Sequence, residues 1–140
     1  MAANDHQVIT AGALTLGAAT VTLDGVSMTW NNTVDAVEDT VWGDTYKQRL
    51  VGLGDYGGTF EAFNDHTDNE LDEDLEALLR TSFAVAWKPN SGAISVTNPE
   101  YQFTGTLTAL TKTYAHGQVP KVTGTLVLTT SAGVTRDVTP

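Results

Sequence analysis

Apolar and polar residues alternate along most of this chain with a period of two, the period of β-strands with one face buried. Val21 and Leu23 alternate with Thr20 and Thr22, and Val26, Met28 and Trp30 alternate with Ser27 and Thr29. Between these runs stands Asp24-Gly25, a two-residue loop suited to a type I′ turn, because Gly accepts positive φ without steric cost. The pattern predicts a hairpin over about Ala18 to Trp30. Asn31 to Arg49 follows, with four acidic residues and only scattered apolar ones (Val34, Val37, Val41, Trp42). It reads as a long polar excursion holding at most one short strand. Thr59 to Phe63 has strand composition after glycines at 52, 54, 57 and 58.

The period then changes to that of a helix. Leu71, Leu75, Leu78 and Leu79 form one stripe, at the spacing that brings side chains to one helical face. Thr67 with Glu70 has capping-box spacing, and Asp68 and Asn69 are further caps. Acidic residues crowd the first turns and Arg80 is placed to close the last, as the helix dipole favours. These signals predict one helix at about residues 69–80. Beyond it Phe83, Val85 and Trp87 share a face, Pro89 to Gly92 is a turn, and Ile94 and Val96 read as strand. Tyr101, Phe103, Gly105 and Leu107 oppose Gln102, Thr104, Thr106 and Thr108; Val122, Gly124, Leu126 and Leu128 oppose Thr123, Thr125, Val127 and Thr129. Polar faces so rich in β-branched hydroxyl residues suit water, a lumen or a second subunit better than a dry core. Ser131 to Gly133 turns into a last run, Val134 to Val138. The fold class expected is mainly β: a β-sandwich or strongly curled antiparallel sheets with one short flanking helix.

Length and composition narrow the function. A chain of 140 residues suits one domain with one core. A net charge of -10, from 7 basic and 17 acidic residues, has the wrong sign for gripping phosphate backbones. The absence of Cys excludes disulfides, thiolate metal sites and cysteine nucleophiles. Val8 to Leu23, the longest weakly polar stretch, has neither a basic leader nor the length of a membrane span.

Several motifs look chemical and fail on context. Gly52-Leu53-Gly54-Asp55-Tyr56-Gly57 matches the dinucleotide-binding G-x-G-x-x-G, but strand-like residues follow where that motif needs a helix. A turn or bulge is the expectation there. The acidic run Asp65 to Glu76 has no Gly for a calcium loop, so it reads as a solvated helix face, with weak surface binding of Ca²⁺ or Mg²⁺ left open. His6, His66 and His116 are scattered, without metal-ligand spacing. Asn31-Asn32-Thr33 is a chance glycosylation pattern. No catalytic residues, no metal site and no cofactor are expected, and the chain is not expected to be an enzyme. Trp42, Tyr46 and Tyr114 lie in polar excursions, where large aromatics serve either loop packing or a partner.

The order of these segments resembles the major tail tube proteins of long-tailed, siphovirus-like bacteriophages. The resemblance covers about residues 15 to 138. It is carried by the early hairpin, the segment Gly43-Asp44-Thr45-Tyr46-Lys47-Gln48-Arg49, and Gly54-Asp55-Tyr56-Gly57-Gly58-Thr59-Phe60. The leucine-striped helix, Phe83-Ala84-Val85-Ala86-Trp87-Lys88-Pro89, Asn98-Pro99-Glu100-Tyr101 and two Thr-rich strands complete it. It implies a structural virion protein that polymerises into stacked hexameric rings, a conduit for DNA ejection. The implied partners are further copies of itself and the tail terminator, tape measure and distal tail proteins, with DNA passing through unbound and no membrane contact. The implied location is the virion tail, and the host cytoplasm during assembly. Trp42, Tyr46, Arg49 and Tyr114 are the candidate subunit-interface residues. A head decoration or head-tail joining protein would share the sandwich, and a ligand-binding β-sandwich would have to use Trp42, Tyr46, Asn31 and Asn32.

Overall fold

The computed structural model describes residues 12–17, 19–21, 25–64, 66 and 71–139. Its strands are β1 (Ala13–Leu16), β2 (Ala19–Thr20), β3 (Gly25–Glu38), β4 (Arg49–Phe63), β5 (Ser82–Lys88), β6 (Glu100–Thr113), β7 (Lys121–Leu128) and β8 (Thr135–Asp137). One helix, α1 (Leu71–Leu78), separates β4 from β5. All strand pairs are antiparallel, in the order β2-β1-β5-β6-β7-β4-β3, with β8 on the edge of β6. The mainly-β, single-helix expectation holds.

This sheet is curled back on itself. Trp30 on β3 stacks on Trp87 of β5 at 5.3 Å between ring centroids, although three strands separate β3 from β5 in the hydrogen-bonded order. The concave face is lined by the alternating residues that the sequence marks as apolar. Val85, Phe103, Leu107, Val122, Leu126 and Phe60 are all buried there. Helix α1 completes the core with Leu71 and Leu75, both buried, and Leu78 and Leu79 pack against it. At the centre Gly124 leaves room for Phe60: a Cβ on Gly124 would meet the Phe60 ring at 2.4 Å.

Four expectations need correction. The hairpin at Ala18 to Trp30 does not form. The first run instead turns at Gly17 (φ 56) into a short β1–β2 hairpin laid on β5, whereas β3 pairs along nearly its whole length with β4. Asp24, the other half of the expected turn, lies outside the described residues. A local two-residue turn gives way here to a partner strand of matching length, which offers many more ladder bonds. Second, residues 31–38 are not a loop but the outer half of β3, paired from Asn31↔Gly57 to Glu38↔Arg49.

Third, Ile94 and Val96 do not form a strand, because the loop folds around one buried side chain. The Asn98 carboxamide donates to the carbonyls of Asn90 (2.9 Å), Gly92 (3.2 Å) and Ala93 (3.1 Å) and accepts from the Asn90 N–H (2.9 Å). Fourth, α1 stops before Arg80, which sits beyond it at φ 68 in the left-handed region. That is the position where glycine commonly ends a helix. The cap candidates Thr67 to Glu70 lie outside the described residues.

Candidate assembly interface

The β3–β4 hairpin outgrows the sheet that carries it. Among the described residues β4 meets β7 only from Gly57 to Phe63, so Arg49 to Tyr56 pair with β3 alone. Residues 31–55 therefore form a two-stranded arm. A register shift between Val34↔Gly54 and Ala36↔Val51 sets Gly52 and Leu53 opposite Asp35. This is a β-bulge, which increases local twist, and it holds Gly52, the first glycine of the run that mimics a dinucleotide motif.

Aromatic rings clamp the root of the arm. Tyr101, Trp87, Trp30 and Tyr56 form a continuous stack, with centroid separations of 4.4, 5.3 and 6.1 Å. Phe103 meets Trp30 and Tyr56 edge-on. Trp87 Nε1 donates to the Tyr56 hydroxyl at 2.9 Å. Burial raises the Tyr56 pKa, the bond from Trp87 lowers it in part, and neighbouring Tyr101 raises it slightly.

Beyond that clamp the arm has almost no shelter. Tyr46, Val51 and Leu53 are 85%, 86% and 82% exposed, and Trp42 is wholly so. Val34, Val37, Val41 and Leu50 are exposed as well. Val37 pairs with Leu50 and Ala36 with Val51, and successive residues of a strand point to opposite faces. Both faces of the arm consequently carry apolar side chains. A lone two-stranded ribbon is marginally stable in water, and contiguous exposed apolar surface of this kind marks an interaction site.

The tip holds itself in shape. The Asp39 N–H donates to the Gln48 carbonyl at 2.8 Å, and Asp44 Oδ2 accepts from the Val41 N–H at 2.9 Å. Thr40 Oγ1 accepts from the Gln48 N–H at 3.0 Å and donates to Glu38 at 3.2 Å. Gly43, at φ 95, completes the turn beside Trp42.

Three of the four candidate interface residues, Trp42, Tyr46 and Arg49, share this arm. Tyr114 does not: it lies past the far end of β6, where its ring stacks on His66 at 5.7 Å and its hydroxyl is 3.1 Å from His66 Nε2. That neighbourhood is a polar cluster beside α1. Asp72 takes hydrogen bonds from Lys112 (2.8 Å) and Asn64 (3.0 Å) and lies 3.3 Å from His66 Nδ1. Its carboxyl is held below the usual range, mainly by Lys112 and then by Asn64, while Asp72 and then Glu76 push the Lys112 ammonium up to about 12. Val34, Val37, Leu50, Val51 and Leu53 are the arm residues that sequence reading passed over. Their signal was an apolar pattern on two facing segments, readable only once those segments are known to pair.

No protein-family model and no curated protein sequence matches the chain. Solved structures do. A chain of "Virion of native gene transfer agent (GTA) particle" superposes with a TM-score of 0.72 at 12% identity, over 96% of this chain and 100% of that one. A chain of "Tail of empty GTA particle computed with helical refinement, C6 symmetry" gives 0.66 at 12% identity, over 93% and 95%. The chain has the fold of a GTA tail component. The superposition spans nearly the whole of both chains in each case.

Proposed function

We propose that this chain is the structural subunit of a phage-type tail tube, located in the virion tail. Six copies close a ring, rings stack, and DNA passes through the bore. The arm is the observation that carries this reading: a hairpin with apolar side chains on both faces, tied to the domain only at its root, has no use in a solitary subunit and a direct one between subunits. The full-length likeness to a chain in a six-fold symmetric tail supports it. Trp42, Tyr46 and Arg49 are then contact residues, of types enriched at interface centres. Terminator, tape measure and distal tail proteins are the further partners, and the role involves no catalysis and no cofactor.

The same reading gives the bore an uncharged or negative wall. Two of the 7 basic residues are already committed within the subunit, Lys112 to Asp72 and Glu76 and Lys121 to Glu61. The convex sheet face presents hydroxyls instead, from Thr104, Thr106, Thr123 and Thr125 among others. A lining that binds phosphate weakly lets a genome slide.

Electron microscopy and sedimentation of the concentrated protein test the proposal. Rings or tubes with six-fold symmetry, and no DNA retardation at low salt, are expected. A monodisperse monomer at millimolar concentration, or tight salt-sensitive DNA binding, overturns it.

A further inference from the structure

The arm is negatively charged as well as apolar. Residues 31–55 carry five carboxylates, Asp35, Glu38, Asp39, Asp44 and Asp55, against Lys47 and Arg49. The arm's net charge is therefore -3, which leaves -7 of the chain's -10 on the rest of the subunit. Among the described residues no ion pair involves the arm, not even between Glu38 and Arg49, which stand opposite each other in the β3–β4 register. Three of the five carboxylates are occupied locally: Glu38 by the Thr40 hydroxyl, Asp44 by the Val41 N–H and Asp55 by the Tyr56 N–H. The carboxylates of Asp35 and Asp39 have no such partner among the described residues, and both residues are exposed. Asp35 precedes Val37 by two residues and so shares its face of the strand, beside the pair that Val37 makes with Leu50.

We propose that Asp35 and Asp39 act as a charge brake on assembly, keeping copies apart until salt screens them. The proposal rests on the tube reading and adds its regulation. An arm with apolar side chains on both faces and a β4 edge unpaired from Arg49 to Tyr56 is an aggregation hazard in a free subunit. Surface charge of one sign opposes that hazard. The subunit offers few free cations to receive the carboxylates. Lys112 and Lys121 are held by acidic residues of their own chain, Lys88 donates to the Gly92 carbonyl and Arg136 to the Tyr101 hydroxyl.

The size of the brake follows from the charges. The part of β3 from Asn31 to Glu38 is about 25 Å long at about 3.4 Å per residue, which sets the separation between the charge of one arm and that of the neighbour it meets. At about 0.01 M salt the Debye length is about 30 Å, and at about 0.15 M it is about 8 Å. Charges of -3 and -7 at that separation in water then weaken each contact about 10-fold at the lower salt relative to the higher.

Sedimentation of the full chain across a NaCl series at pH 7 reads the critical concentration for polymerisation. It is expected to fall about 10-fold between about 0.01 and 0.15 M. The double variant Asp35→Asn, Asp39→Asn leaves the arm at -1, so its critical concentration should change only about 2-fold over the same range and be the lower of the two at low salt. Its melting temperature should stay within about 1 °C of the parent's.

A critical concentration that is constant or rises with salt overturns the brake and leaves the tube standing. So does a variant with the parent's full salt dependence, which would assign the effect to apolar surface. Polymer in MgCl₂ and none in NaCl assigns it to a bound cation and overturns it equally. Failure to polymerise at any salt overturns the tube and the brake together.

Discussion

Tyr56→Phe removes one hydroxyl from the clamp at the root of the arm and leaves every ring in place. The bond lost is Trp87 Nε1–H to Tyr56 Oη, at 2.9 Å. Tyr56 is buried and Trp87 half-buried, so water reaches the freed indole N–H only in part. A neutral hydrogen bond contributes about 1 kcal/mol net, and stranding its donor costs up to about 3. Partial solvation of Trp87 puts the expected loss at about 1–2 kcal/mol, or about 3–6 °C in melting temperature for a chain of this length.

The pH dependence separates this account from a general packing defect. Burial holds the Tyr56 pKa above its ordinary 10.0. Its contribution is therefore complete below pH 10 and is lost as pH rises from there toward the folded value, because the unfolded chain ionises first. Phenylalanine has no such loss, so the gap between the two proteins should narrow between pH 10 and 11. Calorimetry at pH 7 and at steps above 10 reads both quantities. A variant melting within about 1 °C of the parent at pH 7, or a gap unchanged at pH 11, refutes the reasoning.

Gly124→Ala should cost about 1–3 kcal/mol in a urea titration, because the added methyl meets the buried Phe60 ring at 2.4 Å and that ring has nowhere to go. Arg80→Gly should stabilise by about 0.5–1 kcal/mol, since Arg80 holds φ 68 without glycine's freedom there; a lower melting temperature would contradict this. Lys112→Met should cost about 1 kcal/mol at pH 7. The parent's advantage should fade in acid, as Asp72 protonates below 3.8 at its lowered pKa, and again as pH rises from 10.5 toward about 12, where Lys112 discharges. Thermal melts across that range check both limbs, and an advantage that survives at pH 2 would contradict the ion pairs.

Strand identity was written in the sequence, and strand partnership was not. The alternations at 83–87, 101–107 and 122–128 become β5, β6 and β7 with the apolar side inward, and the leucine stripe becomes α1. Period and residue type are local properties that any sheet or helix must respect, so they are visible without a fold. The choice of partner is global. Asp24-Gly25 is a sound local turn signal, yet β1 and β3 stand near opposite ends of the hydrogen-bonded strand order, because β4 supplies β3 with a partner of its own length. The same pairing turns the sparse apolar residues of 31–49 into an arm. Val37 opposite Leu50 and Ala36 opposite Val51 are cross-strand neighbours only in that register. Sequence by itself determined which residues are apolar and at what period, along with the acidic charge and the absence of thiol chemistry. Tertiary structure decided which apolar residues remain uncovered, since burial depends on long-range contacts that chain order does not encode locally.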